Sequence, residues 1–314
     1  MPAVLGLDTS NYTTSAAWFD GTRGENVGRL LEVPQGSLGL RQSEALFQHV
    51  KRLPEILSAL KETGLPDTLD AFGASTRPRE VEGSYMPCFL AGASQGQGMA
   101  SVLARSFYPC SHQQGHIAAA AWSAGRMDLL DRPHLVWHLS GGTTELLYAQ
   151  PEGVSVRAEA IGGTTDISAG QLIDRTGKRL GLAFPAGKAV DALSLQAKKR
   201  ESFSVKVRAC EFSLSGIENK MNALAQDGAA AEDICWYVLE CIIRAVETAT
   251  KQALERYPGL PVLCAGGVAS NALLRQRMTR ACEAVFAPPR FSTDNAMGVA
   301  VLTWRQHQEE QKHD

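Results

Sequence analysis

The fold is decided by the stretch HLVWHLSGGTTELLYA, which covers residues 134–149. Mostly apolar residues at 134–139 and 145–149, separated by a Gly/Ser/Thr turn, predict a hairpin of two strands. The chain opens with the same unit, a strand at 3–7 joined by a polar turn to a second strand at 14–19. Helices and strands alternate after each hairpin. This order of elements predicts an α/β protein of two related halves, although the halves share no close sequence repeat.

Hydrophobic periodicity and turn residues predict the remaining elements. The other predicted strands cover 29–33, 69–74, 261–265 and 291–293. The predicted helices cover 43–60 (with a kink or boundary at Pro54), 91–107, 167–180, 188–199, 216–225, 232–257, 270–283 (capped by Ser270) and 295–308. We predict a first lobe at 1–115 and a second at 116–314, with the closing helix at 295–314 packing back on the first.

The composition is ordinary for a globular enzyme, with 314 residues of which 44% are hydrophobic and 20% charged. The net charge of −2 gives no overall attraction for nucleic acid, so any RNA contact needs a local positive patch. The seven cysteines are scattered without a C-x-x-C pair, which favours reduced thiols. No leader pattern precedes the first strand, and no apolar run approaches about 20 residues. These features predict a cytoplasmic protein without a membrane span.

Two histidines, His112 and His116, lie where the sequence predicts a helix that begins after Ser111. Side chains at this spacing share one helix face, with Cβ atoms about 5–6 Å apart, so both imidazoles can bind one metal ion. The pair alone is weak evidence without a third ligand. Gln113 replaces the glutamate base of an H-E-x-x-H zinc protease. An ion here would therefore position an anion or a substrate oxygen rather than generate hydroxide.

Asp294 is a candidate for the third ligand. It lies in the segment Ser292-Thr293-Asp294-Asn295, at a predicted junction of strand and helix. Its carboxylate suits either the cap of the helix or the completion of a two-histidine metal site. The sequence leaves both roles open.

Two glycine turns, predicted to belong to different halves, are candidates for phosphate and purine binding. Successive N–H groups of Ser140-Gly141-Gly142-Thr143-Thr144 can surround an anion, although a plain hairpin turn has the same composition. The turn at 265–271 opens a predicted helix, where anions and flat purine rings bind, but close packing of helix on strand explains it equally well. Asp174 and Asp191 can accept hydrogen bonds from ribose hydroxyls or lie on solvated helix faces.

Several motifs in register resemble one family, the TsaD proteins, which transfer a threonylcarbamoyl group to the tRNA adenosine beside the anticodon. The matching segments follow the family's order along nearly the whole chain, at 5–10, 112–116, 139–146, 170–181, 185–191, 212–216, 265–275 and 293–297. Such a combination is far more specific than any single motif.

The resemblance implies an actin-like ATPase fold of the ribonuclease H-like type, with two lobes around a cleft. It implies that one iron or zinc ion is bound by His112, His116 and Asp294. It implies contacts to ATP or threonylcarbamoyl-adenylate from Ser140, Gly141, Gly142, Thr143, Thr144, Asp174, Gly187, Asp191 and Asn271. The implied acceptor is tRNA, and the implied partner protein is a related actin-like subunit.

The chain departs from the family pattern at three places. Two acidic residues usually follow E-T-S-C in the first hairpin, whereas this chain has Asn11, Tyr12 and Thr13. Thr143 replaces the histidine of S-G-G-H-T, and Arg-Pro-Arg-Glu at 77–80 replaces a Gly-Pro-Gly segment. We interpret the sequence as a divergent paralogue that keeps the metal and nucleotide sites and has a changed acceptor side.

Three functions compete at this point. The first is a transferase acting through an acyl-adenylate; its RNA contacts would come from a basic run that otherwise forms a solvated face, Lys198, Lys199, Arg200, Lys206 and Arg208. The second is a non-catalytic nucleotide-binding partner subunit, which has little reason to keep three metal ligands. A metalloprotease ranks last because of Gln113.

Overall fold

The structure of the protein is a computed structural model that describes residues 2–10, 12–33, 40–200 and 204–312. The chain forms two compact units. The first contains Met1–Arg132, Gln150–Ala158 and Asp294–Asp314, and the second contains Pro133–Ala149 and Glu159–Thr293. Across the described ranges, none of the helices is both long and apolar enough to cross a membrane.

Strands and helices alternate along the chain. The strands are β1 (Val4–Asp8), β2 (Thr13–Phe19), β3 (Gly24–Leu30), β4 (Ala71–Arg77), β5 (Ser106–Ser111), β6 (His134–Leu139), β7 (Thr144–Glu152), β8 (Ser155–Thr164), β9 (Glu211–Phe212), β10 (Val262–Ala265) and β11 (Val285–Phe286). The helices are α1 (Gln42–Lys61), α2 (Leu90–Val102), α3 (His112–Ser123), α4 (Ala169–Arg179), α5 (Gly187–Ser194), α6 (Ser215–Gln226), α7 (Ala231–Arg256), α8 (Ala272–Cys282) and α9 (Met297–Glu310).

The first unit is built on a five-stranded sheet of order β3-β2-β1-β4-β5. Side chains alternate between the faces of a strand, so Leu5 and Leu7 of β1 point to one face and Gly6 to the other. Leu5 and Leu7 share a core with α1 and α2. On the opposite face a Cβ at Gly6 would lie only 2.4 Å from the backbone nitrogen of Ala300. Glycine at this position therefore allows α9 to pack directly on the central strand.

The second unit contains a six-stranded sheet of order β11-β10-β6-β7-β8-β9. β6 pairs antiparallel with β7 and parallel with β10. Trp137 at the centre of β6 is fully buried, and its Nε1 donates to Thr250 Oγ1 of α7 at 2.8 Å. The long apolar face of α7 thus covers the middle of the sheet, and the ends of the strands remain available for loops.

Both predicted hairpins are present as β1–β2 and β6–β7, and β6 has the predicted bounds. Four predicted elements have wrong bounds. The second helix ends at Val102, the third strand covers Gly24–Leu30, the helix predicted at 188–199 ends at Ser194, and the last strand is Val285–Phe286 rather than 291–293. The strands β5, β8 and β9 were not predicted. α1 also continues through Pro54 to Lys61, so the proline does not end that helix.

The predicted division of the lobes needs correction. A boundary between residues 115 and 116 falls inside α3, whereas the whole of α3 belongs to the first unit. The first compact unit instead continues to Arg132. The closing helix, α9, belongs to this first unit, where it packs on β1 and α3.

Candidate metal centre and nucleotide-binding turns

The amino end of α3 is held by a reciprocal capping box. Ser111 Oγ accepts a hydrogen bond from the backbone N–H of Gln114 at 3.3 Å, and Gln114 Oε1 accepts one from Ser111 N at 2.8 Å. The side-chain Nε2 of Gln114 also donates to the Val156 carbonyl at 3.0 Å. The predicted helix start at Ser111 is confirmed, and these bonds fix the first helical residue, His112.

The structure brings His112, His116 and Asp294 together within the first unit. Nε2 of His112 lies 2.9 Å from Nε2 of His116. Oδ1 of Asp294 lies 3.2 Å from Nε2 of His116 and 3.7 Å from Nε2 of His112. One potential ligand atom from each of the three residues lies within 4.8 Å of the others.

Close packing of α9 on α3 delivers the carboxylate to the histidines. A Cβ at Gly298 would lie 1.7 Å from the carbonyl oxygen of Gly115, so this crossing requires glycine. At the start of α9, Asn295 Oδ1 accepts a hydrogen bond from Met297 N at 3.0 Å. Asp294 is therefore not the cap of the helix, and its carboxylate faces the histidines.

Asp8, at the end of β1, is a site residue that the sequence interpretation missed. Its carboxylate is fully buried, and Oδ1 lies 3.2 Å from Nδ1 of His112. Ser10 Oγ donates to Oδ2 at 2.7 Å, and Ser75 Oγ donates to Oδ1. Burial raises the pKa of Asp8, but the charge and hydrogen bond of His112 and the hydrogen bond of Ser75 bring it below its usual range. The only sequence signal was an acid that ends a buried strand.

The electrostatics of the site favour positive charge at His112. Burial lowers the pKa of His112, but the charge and hydrogen bond of Asp8 and the charge of Asp294 raise this pKa to about 9. When Nδ1–H of the neutral ring donates to Asp8, Nε2 presents a lone pair to His116 and Asp294.

Two ring nitrogens and a carboxylate oxygen then converge, which is a donor set suited to a divalent transition metal. A carboxylate behind a ligating imidazole is also a common feature of such sites. The residues present therefore fit the iron or zinc ion that the resemblance implies.

One of the departures from the family pattern contacts this ligand set. Asn11 lies outside the described residues. Thr13 Oγ1 donates to Asp294 Oδ2 at 3.5 Å, so one of the substituted positions contacts a proposed ligand. Arg77 forms an ion pair with Glu80, its Nε lying 3.2 Å from Oε2. The segment at 77–80 is therefore held by an ion pair between its own first and last residues.

The first glycine turn lies in the second unit against the amino end of α4. The turn is closed by hydrogen bonds from Ser140 N to Thr143 O at 2.8 Å and from Thr143 N to Ser140 Oγ at 3.0 Å. Ser168, the N-cap of α4, donates to the Gly141 carbonyl at 2.6 Å. A Cβ at Gly170 would lie 2.5 Å from Gly141 Cα. A glycine turn in contact with a helix amino end is a suitable position for an anion.

The two remaining residues of this turn differ in their surroundings. Thr144 is buried, and its Oγ1 accepts from Ala169 N at 2.8 Å. A Cβ at Gly142 would meet none of the described atoms within 4 Å. The turn is thus anchored at its carboxyl end and open at Gly142, where a ligand can approach the backbone.

The second glycine turn lies against the end of β6. Gly266 has a φ of 98°, and a Cβ there would lie 2.1 Å from the carbonyl oxygen of Leu139. Leu139 is followed by Ser140, so the two turns are neighbours. Both belong to the second unit, which corrects the prediction that they lie in different halves.

Asp191 and Asn271 meet beside these turns. Asn271 Nδ2 donates to Asp191 Oδ1 at 2.8 Å, although the residues are 80 positions apart. Asn271 Oδ1 accepts from Leu274 N at 2.8 Å and caps α8, so the predicted cap at Ser270 is wrong. The pair forms a rigid polar edge at the amino end of a helix.

Asp174 has a local structural contact. Its Oδ1 accepts a hydrogen bond from Ala186 N at 2.9 Å, in the turn that precedes α5. Gly187, the first residue of α5, is exposed, and a Cβ there would meet none of the described atoms within 4 Å. Asp174 therefore shapes the segment that presents Gly187.

Comparisons with known proteins give consistent results. A model of the tRNA N6-adenosine threonylcarbamoyltransferase family, TsaD, matches residues 35–301. The chain is 34% identical over 313 residues to a Thermus thermophilus protein of that name, a match that covers 97% of this chain and 93% of the relative.

Two solved structures resemble the whole chain in fold. HypF of T. kodakarensis aligns with a TM-score of 0.59 at 14% identity, over 99% of this chain and 48% of HypF. The Clostridium difficile activator of 2-hydroxyisocaproyl-CoA dehydratase, with bound ADPNP, aligns with a TM-score of 0.56 at 14% identity, over 99% of this chain and 98% of the activator. The predicted actin-like ATPase fold is confirmed.

Proposed function

Because the chain belongs to the tRNA N6-adenosine threonylcarbamoyltransferase family, we propose that it transfers a threonylcarbamoyl or carbamoyl group from an adenylate to an adenosine of tRNA. Enzymes of this family are transferases, and the proposal starts from that class of activity.

The observation that carries the proposal is the convergence of His112, His116 and Asp294, with Asp8 behind His112. An iron or zinc ion held there supplies a Lewis acid that polarises a carbamoyl or phosphate oxygen. Asp8 holds the His112 ring in the orientation in which Nε2 is the ligand atom, and its negative charge increases the basicity of that nitrogen.

The nucleotide part of the donor is assigned to the second unit. Backbone N–H groups of Ser140–Thr144 and the amino end of α4 bind its phosphate. The polar edge formed by Asp191 and Asn271 binds ribose hydroxyls, together with Asp174, and Gly187 allows the nucleoside to approach the backbone.

The reaction balances as an acyl transfer. The N6 amine of the acceptor adenosine attacks the carbamoyl carbon and forms a C–N bond. The bond from that carbon to the phosphate oxygen breaks, AMP leaves with the electron pair, and the amine gives up a proton to solvent. Donors directed at the phosphate stabilise the negative charge that develops on the leaving group.

The same premise implies a related actin-like subunit as a partner protein. The alternative hypothesis, a non-catalytic partner subunit, is not favoured, because the relatives that match nearly the whole chain are named as transferases. The metalloprotease hypothesis has no support from these relatives, in agreement with the glutamine at position 113.

A transfer assay with a His112→Ala variant tests the proposal. The variant should bind less than stoichiometric metal and transfer the group to a tRNA transcript about 100-fold more slowly, because it loses a ligand rather than a supporting contact. Gln113→Ala, which leaves all three ligands in place, is the matched control. Full activity of His112→Ala without metal would refute the metal assignment, and a wild-type protein that modifies no tRNA would refute the acceptor.

A further inference from the structure

A tight turn at the edge of the second sheet has an uncommon backbone. Arg208 and Glu211 exchange two backbone hydrogen bonds, each of 2.9 Å, so they face each other across a two-residue turn. The residues between them, Ala209 and Cys210, have φ values of 48° and 67°. Positive φ at both central positions defines a type I′ turn, which normally takes Asn and Gly. Alanine and cysteine hold this shape only because their surroundings require it.

Those surroundings are rigid. Gly163 N donates to the Cys210 carbonyl at 3.0 Å, and Cys210 N donates to Gln252 Oε1 at 3.0 Å. Gln252 Nε2 in turn donates to the Val207 carbonyl at 3.2 Å. The side chain of Gln252, from the long helix α7, thus clamps both sides of the turn.

Alternation along this segment separates apolar from charged side chains. Val205, Val207, Phe212 and Leu214 belong to or pack against the core of the second unit. The residues between them, Lys206, Arg208, Glu211 and Ser213, are exposed. Since side chains alternate in an extended chain, these four lie on one face.

Thr165 joins the same face. β8 pairs parallel with β9, with Thr164 opposite Phe212, so the next residues, Thr165 and Ser213, are neighbours. Together with Lys206, Arg208 and Glu211 they line an open depression of about 300 Å³. We call these five residues the edge face.

The charges of the edge face are unbalanced. Neither Lys206 nor Arg208 has an ion-pair partner among residues 2–10, 12–33, 40–200 and 204–312. Asp166 lies beside the face, and hydrogen bonds from Ser213 Oγ at 2.5 Å and Leu214 N at 2.8 Å hold its carboxylate in place without removing its charge. Within the face itself, two cations stand against one carboxylate, that of Glu211.

We propose that the edge face binds the phosphodiester backbone of the acceptor RNA, a proposal that rests on the tRNA acceptor proposed above. Two unpaired cations held on a rigid edge are suited to phosphates, which fix position without reading bases. Ser213 already donates to Asp166, and Thr165 Oγ1 donates to the Phe212 carbonyl at 3.3 Å. The edge face therefore offers positive charge without a set of donors that encloses a ligand. Such a surface is better suited to the backbone of a polyanion than to a small anion.

Salt-dependent binding of an unmodified tRNA transcript to the full chain tests this assignment. In Lys206→Gln/Arg208→Gln, the slope of log Kd against log salt should fall by about 2, equally for different RNA sequences. Glu211→Gln removes the opposing charge and should tighten binding. Lys61→Gln/Arg280→Gln removes two other exposed cations and is the control for net charge.

The outcomes separate this inference from the proposed function. If wild-type protein binds no tRNA, the acceptor assignment itself fails. If wild-type protein binds tRNA but the Lys206/Arg208 variant matches the control pair, the edge face is wrong while the acceptor stands. Weaker ATP binding in the same variant would also overturn the inference, because a backbone contact for RNA leaves the nucleotide site unchanged.

Discussion

Replacing Asp8 by asparagine should weaken metal binding while the fold is retained. The asparagine oxygen can still accept the Nδ1–H of His112, so the substitution removes the negative charge and keeps the shape. Loss of a carboxylate behind a ligating histidine typically weakens metal binding by 10–100-fold. The dissociation constant of Asp8→Asn for Zn²⁺ should rise by that factor.

The same substitution should also remove a pH dependence of the free energy of unfolding of the metal-free protein. The pKa of His112 is raised from 6.5 to about 9, a difference worth about 3 kcal/mol in the free energy of unfolding. Because the folded value is the higher one, this stability is fully present below pH 6.5 and is lost as the pH rises through 9. The difference in stability between wild type and Asp8→Asn should therefore be large at pH 6 and small near pH 10.

Urea unfolding of the metal-free proteins across this pH range measures the effect, and competition with a chelator of known affinity measures the metal constant. Ser75→Ala is the matched control, because it removes a hydrogen bond to Asp8 but leaves the charge. This control should keep the pH dependence. The reasoning is refuted if folded Asp8→Asn binds Zn²⁺ as tightly as wild type and loses stability over the same pH range.

Two further substitutions test the second unit. Gly170→Ala should destabilise the protein by about 1–3 kcal/mol and weaken ATP binding measured by calorimetry, since its Cβ would lie 2.5 Å from Gly141 Cα; unchanged ATP affinity would contradict the close contact. Asp166→Ala should destabilise the protein at pH 7 in urea unfolding. Burial raises the pKa of Asp166, but hydrogen bonds from Ser213, Ser215 and the Leu214 backbone bring it well below the usual range. Its contribution is therefore present above pH 4 and is lost as the pH falls, so the variant should approach wild type in acid, and a constant difference would contradict this.

Sequence patterns predicted the elements whose residues act locally. β6 has uninterrupted apolar and aromatic residues and a glycine turn after it, and both ends were found. α1 shows helical periodicity strong enough to continue through Pro54. The capping box of Ser111 and Gln114 is likewise a local signal.

The wrong predictions concern the edges of sheets. β3 and β5 are edge strands of the first sheet, and their exposed polar residues weaken the apolar alternation that identifies a strand. β5 also contains Pro109, which is tolerated at an edge because the strand needs no donor on that side. The small residues of α2 show no strong periodicity, so the sequence did not mark where that helix ends.

Asp8 and the arrangement of the edge face were missed for a different reason, although the sequence had marked Lys206 and Arg208 as candidates for RNA contacts. The role of Asp8 depends on a histidine 104 residues away, and no spacing rule connects β1 with α3. The clamp of Gln252 on the turn at Cys210 is similarly a tertiary contact between a helix and an edge. Such partners become visible only when the packed sheet is known.

The wide separation of the ligands along the chain has a consequence during biosynthesis. A nascent chain on the ribosome that has not yet reached Asp294 carries both imidazoles but not the carboxylate. Even after synthesis, the carboxylate of Asp294 lies beside the histidines only when α9 has packed on α3, with Gly298 against Gly115. In the proposed metal site, acquisition of an ion would therefore report that the first unit has finished folding, because an incompletely made chain lacks the carboxylate of Asp294.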